Sequence, residues 1–119
     1  MVPPGRQVTR RTFDNIVPVE STVHLAITHL HNYGDYLKLT DLTTGEVLFR
    51  TDVVYESERK QIAEIPAYSS ATGFTIHPDH RYEIEAVYTN TTEGDVDAMA
   101  VMDLYYHPAG NVMIRYAAE

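Results

Sequence analysis

The sequence contains no cysteine and no tryptophan. Without cysteine, disulfides, thiolate metal sites and a cysteine nucleophile are all excluded. Cationic side chains are scarce: 9 Lys and Arg stand against 17 Asp and Glu, for a formal net charge of −8. A surface that follows a phosphate backbone needs clustered Lys and Arg. The basic cluster Arg6, Arg10 and Arg11 is too short for that, so no nucleic-acid partner is expected. Long apolar runs are also missing. None approaches the roughly 20 residues of a membrane-spanning helix, and no membrane partner is expected. The stretch Met1 to Arg11 is polar and basic with no apolar segment behind it, so it lacks the pattern of a signal peptide. No G-x-S-x-G segment occurs, and Ser69-Ser70 has no identified base, which leaves nucleophilic hydrolysis unsupported.

What remains is enough for one folded domain over residues 1–119, with 44% hydrophobic residues. A chain of this size buries roughly two-thirds of its unfolded surface, so it needs no covalent staple. Strand-type runs separated by turn signals predict an all-β antiparallel sandwich of about eight to nine strands. The expected strands are 7–13, 22–31, 36–41, 46–54, 60–65, 73–76, 81–90, 97–106 and 112–116. Gly45 closes a hairpin between the third and fourth. In the second, Val23, Leu25 and Ile27 read as one face, continued by His29 and His31. In 81–90, Tyr82, Ile84, Ala86 and Tyr88 form the buried face. Residues 56–61 could make a single helical turn. Asn90-Thr91-Thr92 matches a glycosylation triplet, but a polar turn is the favoured reading.

The six histidines are the chemistry-bearing residues. His24, His77, His80 and His107 read as isolated surface or hydrogen-bonded groups, with His77 and His80 in solvent on either side of Pro78-Asp79. His29 and His31 differ, because two residues apart on a strand they leave the same face. Two imidazoles so placed can share one ion, and imidazole suits copper, zinc, iron and nickel. In Asp97-Ala98-Met99-Ala100-Val101-Met102, the set Ala98, Ala100, Met102 and Leu104 makes the better core face. Met99 then points the other way, and its thioether is a soft ligand that favours Cu(I).

His29-Leu30-His31-Asn32-Tyr33-Gly34 has the form H-x-H-x-x-G. Asp97-Ala98-Met99 follows as D-x-M, then Tyr105-Tyr106 and Pro108. In these motifs and their order the chain resembles the C-terminal domain of the copper type II, ascorbate-dependent monooxygenases, the peptidylglycine and dopamine hydroxylases. It is also similar to Nod19-type proteins and to bacterial single domains with an H-L-H segment. The resemblance runs from about Thr22 to Pro108 and implies a jelly-roll-like sandwich. It also implies a mononuclear copper site on His29, His31 and Met99, with Met102 as the fallback thioether. An extracellular or periplasmic setting follows from it alone. The chain departs from the family in three respects: it has no room for the second copper domain, no adjacent His-His pair, and no disulfides. Full hydroxylase activity is therefore not carried over, and enzyme status stays open.

Two other readings stand beside copper. One is a non-catalytic interaction or structural module, in which the H-x-H pair is incidental. The other is a zinc-type site, with His29, His31 and a third His or carboxylate. An electron-donating partner domain and a homo-oligomer are partners left open. Hydrogen bonds that orient the imidazoles are expected from Asp97, Asn32 and Tyr33.

Overall fold

The structure is a computed structural model that describes residues 1–57, 61–108 and 110–117. Its strands are β1 (Gly5–Asp14), β2 (Ser21–Leu30), β3 (Gly34–Asp41), β4 (Glu46–Asp52), β5 (Val54–Tyr55), β6 (Ile62–Glu64), β7 (Tyr68–Ile76), β8 (Arg81–Asn90), β9 (Met99–His107) and β10 (Gly110–Ala117). Two four-stranded antiparallel sheets, ordered β1-β8-β3-β4 and β10-β9-β2-β7, pack face to face. The chain is an all-β sandwich, as its alternation of strand and turn signals predicts. Most connections cross from one sheet to the other, while β3–β4 and β9–β10 are hairpins within a sheet. The small β5–β6 hairpin sits apart. At the end of that hairpin Glu56 N donates to Gln61 O at 3.0 Å. The single helical turn considered there, and the start of the strand expected from Lys60, fall partly on 58–60, outside the described residues.

The core follows the alternation closely in β8 and β9. Tyr82, Ile84, Ala86 and Tyr88 are buried from one sheet, and Ala100, Met102 and Leu104 from the other, with Ala98 just before β9. Leu37, Leu39 and Phe49 of β3 and β4 complete the first wall. Phe49, Tyr68 and Phe74 form an aromatic cluster between the sheets, with ring centroids 5.2 to 5.8 Å apart. Glu85 lies on the outer face of its sheet yet is buried. Its carboxylate accepts hydrogen bonds from Arg10 at 2.8 Å and Tyr36 at 2.6 Å, and pairs with Lys38 at 3.3 Å. Arg10 and Lys38 are its cross-strand neighbours on β1 and β3, so the ladder itself brings the charges together.

Asn90 is a structural residue. It is buried, its Nδ2 donates to Val2 O and Gly94 O, and its Oδ1 accepts from Thr92. The polar-turn reading of Asn90-Thr91-Thr92 holds.

Candidate metal centre

A bulge in β2 decides where the histidines point. Val23 pairs with Tyr106 of β9 and Leu25 with Tyr105, so His24 is the extra residue. Such an insertion reverses the in–out parity of everything beyond it. Val23 faces the core before the bulge; Ala26, Thr28 and Leu30 do so after it. Leu25 and Ile27 are 37% and 46% exposed. The expectation that Val23, Leu25 and Ile27 share the buried face is therefore corrected. His29 and His31 leave the outer face of the sheet.

Gly73 in β7 accommodates this bulge. Its φ is +70°, and a Cβ there would collide with the Val23 carbonyl oxygen and meet His24 Nδ1 at 3.0 Å. The pairing of β7 skips from Phe74 to Ser69 across the same point. Ser70 supports the excursion: its Oγ accepts from Gly73 N at 3.0 Å, and its carbonyl lies 3.0 Å from His24 Nδ1.

Parity now places Met99 with the histidines. His29 faces Val101 across the ladder and Leu30 faces Ala100, so Met99 is the next residue on the histidine face. Thr28 faces Met102, which is completely buried between the sheets. Met102 is thus a core residue on the opposite face from the histidines, and Met99 is half-buried on theirs.

The ladder between β2 and β9 stops at Leu30–Ala100. At that point the hydroxyl of Tyr88 takes over. It accepts from His31 N at 2.9 Å and Met99 N at 3.1 Å, and donates to Met99 O at 2.8 Å. One donor and two acceptor positions are all a phenol has, and all are used. Burial raises the Tyr88 pKa, against hydrogen bonds from the Met99 and His31 backbone that lower it. The phenol accordingly keeps the proton that it gives to Met99 O. Motif spacing did not single out Tyr88; its only sequence signal was its place on the core face of β8.

The imidazoles of His29 and His31 are adjacent, with centroids 5.3 Å apart and planes at 77°. His31 Nδ1 lies 2.9 Å from Asp97 Oδ2. A carboxylate only accepts, so Nδ1 carries the hydrogen and Nε2 presents a lone pair in the neutral ring. This is the carboxylate support common behind metal-bound histidines, on the residue expected to give it. A cleft of about 430 Å³ opens here, lined by His29, Leu30, His31, Asn32, Tyr33, Ile62, Val96 and Asp97. Asn32 and Tyr33 are in its lining, and Met99 lies outside it.

The spacing of the two imidazoles is that of rings able to share one ion. With metal–nitrogen bonds of about 2.0–2.1 Å, two imidazoles on one tetrahedral ion have centroids roughly 5 Å apart. The third donor is less tightly set, since Met99 joins the face through its main chain and register. No group of three or more His, Asp or Glu side chains converges as a metal site among the described residues. His107 lies opposite Thr22, and His77 follows Ile76, which pairs with Ser21. Both positions are near the other end of β2, so a zinc-type site completed by His77, His80 or His107 does not form around His29 and His31.

Comparisons with family models, curated proteins and solved structures return no match to this chain.

Proposed function

We propose that this domain binds a single copper ion through His29, His31 and Met99, in a site like the substrate-side copper of the type II monooxygenases. The observation that carries the reading is the paired imidazoles at 5.3 Å, with His31 Nδ1 held by Asp97. The Tyr88 hydroxyl supports it by tying the His31 main chain to Met99. A methionine side chain has three rotatable bonds, so the Met99 thioether can swing toward ring nitrogens on its own face. Two neutral imidazoles and a thioether make a soft, open donor set that favours Cu(I). When bound, copper would supply a coordination position for oxygen or substrate. The chain's own part is to orient two imidazoles and to border them with the apolar residues Ile62 and Val96. Hydroxylation would require electrons from a partner.

The test is a Cu(I) titration of the apo-protein under reducing conditions, with a competing chelator. One tight equivalent is expected, lost in His29→Ala/His31→Ala and weakened in Met99→Leu. Equal binding by wild type and the double variant would sink the copper reading.

A second reading has an observation of its own. Leu25, Ile27, Tyr105 and Met113 are exposed on adjoining strands of the β10-β9-β2-β7 sheet. Exposed apolar surface of this kind marks protein contacts, which favours an interaction module. Light scattering of wild type and Ile27→Lys tests it: self-association abolished by the substitution supports a homo-oligomer built on this face.

A further inference from the structure

Among the described residues the two large sheets end in four edge strands, β1, β4, β10 and β7, and these are not alike. An edge presents unpaired N–H and C=O groups to any further strand, unless a bulge, a proline or a short length blunts it. β7 breaks its pairing with β2 between Phe74 and Ser69, and β4 carries an extra residue at Leu48. β1 has neither defect. It is the longest of the four, with ten residues against nine in β7, eight in β10 and seven in β4. It pairs with β8 residue for residue, from Gly5–Asn90 to Asp14–Arg81, with no shift in register. No proline interrupts it.

The strand is also held at both ends. Before it, buried Val2 exchanges backbone hydrogen bonds of 2.8 and 3.0 Å with Val96, and Val2 O accepts from Asn90 Nδ2 at 3.1 Å. After it, Arg81 donates to the two Asp14 oxygens at 3.0 and 3.3 Å. An edge fixed in this way loses little freedom when a partner pairs with it.

Its charge selects the partner. In a chain of net charge −8, β1 carries Arg6, Arg10 and Arg11, all exposed. Its one acid, Asp14, is answered by Arg81. Arg6 and Arg10 are four residues apart, so both leave the outer face of the sheet. Arg6 makes no hydrogen bond or ion pair among the described residues. Arg10 uses its Nε on Glu85 at 2.8 Å, and that carboxylate is also served by Tyr36 and Lys38. The Nη groups of Arg10 remain as donors. A second copy of β1 in full overlap would bring Arg10 and Arg11 of both chains together, and facing like charges destabilise a strand pair.

We propose that β1 is the docking edge for an extended acidic segment of a partner protein, added as a fifth strand beside it. In such strand addition the main chain supplies affinity and alternate side chains supply selectivity. Two carboxylates four residues apart in the segment lie opposite Arg6 and Arg10, with a β-branched residue between them opposite Val8. β1 contributes no residue to the cleft of His29 and His31, so docking and metal binding are separate properties.

The test uses the full chain and a blocked peptide, Thr-Glu-Thr-Val-Thr-Glu-Thr, followed by amide resonances. We expect saturable shift changes centred on β1 and β8 that weaken as salt is raised. The same peptide with Lys for Glu should not bind. Two further peptides carry N-methyl groups on one or the other alternate set of amides. One set faces β1 and the other faces away, so one peptide should lose binding and the other keep it. Arg6→Glu should weaken the parent peptide by at least ~3-fold, with an unchanged circular dichroism spectrum. Equal binding by both methylated peptides, equal binding by the lysine peptide, unchanged affinity in Arg6→Glu, or shift changes away from β1 overturns the proposal. So does a dimer of the chain whose dilution shifts fall on β1, which would assign the edge to a second copy.

Discussion

Tyr88→Phe removes one oxygen atom and no carbon, so any effect comes from hydrogen bonds rather than packing. The lost hydroxyl serves three main-chain groups, His31 N, Met99 N and Met99 O, at 2.8 to 3.1 Å. A net value of about 1 kcal/mol per hydrogen bond gives ~3 kcal/mol. Water reaching the half-buried His31 and Met99 would lower this toward ~1.5 kcal/mol, whereas orphans kept dry would raise it toward ~5 kcal/mol. At roughly 4 °C per kcal/mol for a domain of this size, Tm falls by about 12 °C. With a urea slope of about 1–3 kcal/mol per molar, the midpoint drops by ~1–3 M at unchanged slope. The assay is urea unfolding followed by far-ultraviolet circular dichroism. Tyr82→Phe serves as the comparison, because Tyr82 makes one short bond, accepting from His77 N at 2.7 Å, and only a long one of 3.5 Å to His77 O. It should cost about a third as much. A Tyr88→Phe loss under ~0.5 kcal/mol would refute the claim that this hydroxyl continues the β2–β9 ladder. The same variant should bind Cu(I) at least ~10-fold more weakly, as for loss of outer-shell support. Unchanged affinity with lowered stability would show that the tie does not preorganise the site.

Other perturbations probe the elements that place the site. Gly73→Ala forces a left-handed backbone angle on alanine and drives its Cβ into the Val23 carbonyl. A loss of at least ~2 kcal/mol is expected in chemical unfolding, with large amide shift changes in Val23–Leu25; small, local changes would contradict the role given to Gly73. Asp97→Asn keeps the shape but weakens the support of His31 Nδ1. Cu(I) affinity should fall by about tenfold while the melting temperature stays within 2 °C or so, and an unchanged competition titration would remove Asp97 from the site. Acid should unfold the protein through Asp41 and Glu85. Burial raises both pKa values, but His80 and the Thr44 and Thr43 amides outweigh it at Asp41, and Tyr36, Lys38 and Arg10 outweigh it at Glu85, so both end lowered. A carboxylate lowered in the folded state stabilises fully above its unfolded pKa of about 4, and that stability is lost as pH falls through the folded value. The urea midpoint should therefore decline below about pH 4, and Glu85→Gln should flatten the decline.

Some of this protein was settled locally, by residues acting on their neighbours in the chain. The alternation of Tyr82, Ile84, Ala86 and Tyr88 identifies a half-buried strand, because side chains in β-structure repeat every two residues. Gly45 ends one hairpin strand and starts the next, and it adopts the positive φ of 81° that the turn demands. The pairing of His29 with His31, the outward sense of Met99 and the core role of Met102 came from the same two-residue period. The direction of β2 did not. Val23, Leu25 and Ile27 read as one apolar face, yet an extra residue at His24 sends Leu25, Ile27, His29 and His31 outward. That insertion is stabilised by Gly73 and Ser70, nearly fifty residues further along, and no local pattern contains it. The Tyr88 hydroxyl that joins His31 to Met99, and the carboxylates of Glu20 and Asp41 behind His77 and His80, belong to the same class. Each bonds groups far apart in sequence: the Tyr88 hydroxyl reaches from one sheet to the other, and the Glu20–His77 and Asp41–His80 contacts exist only once β2 has paired with β7 and β3 with β8.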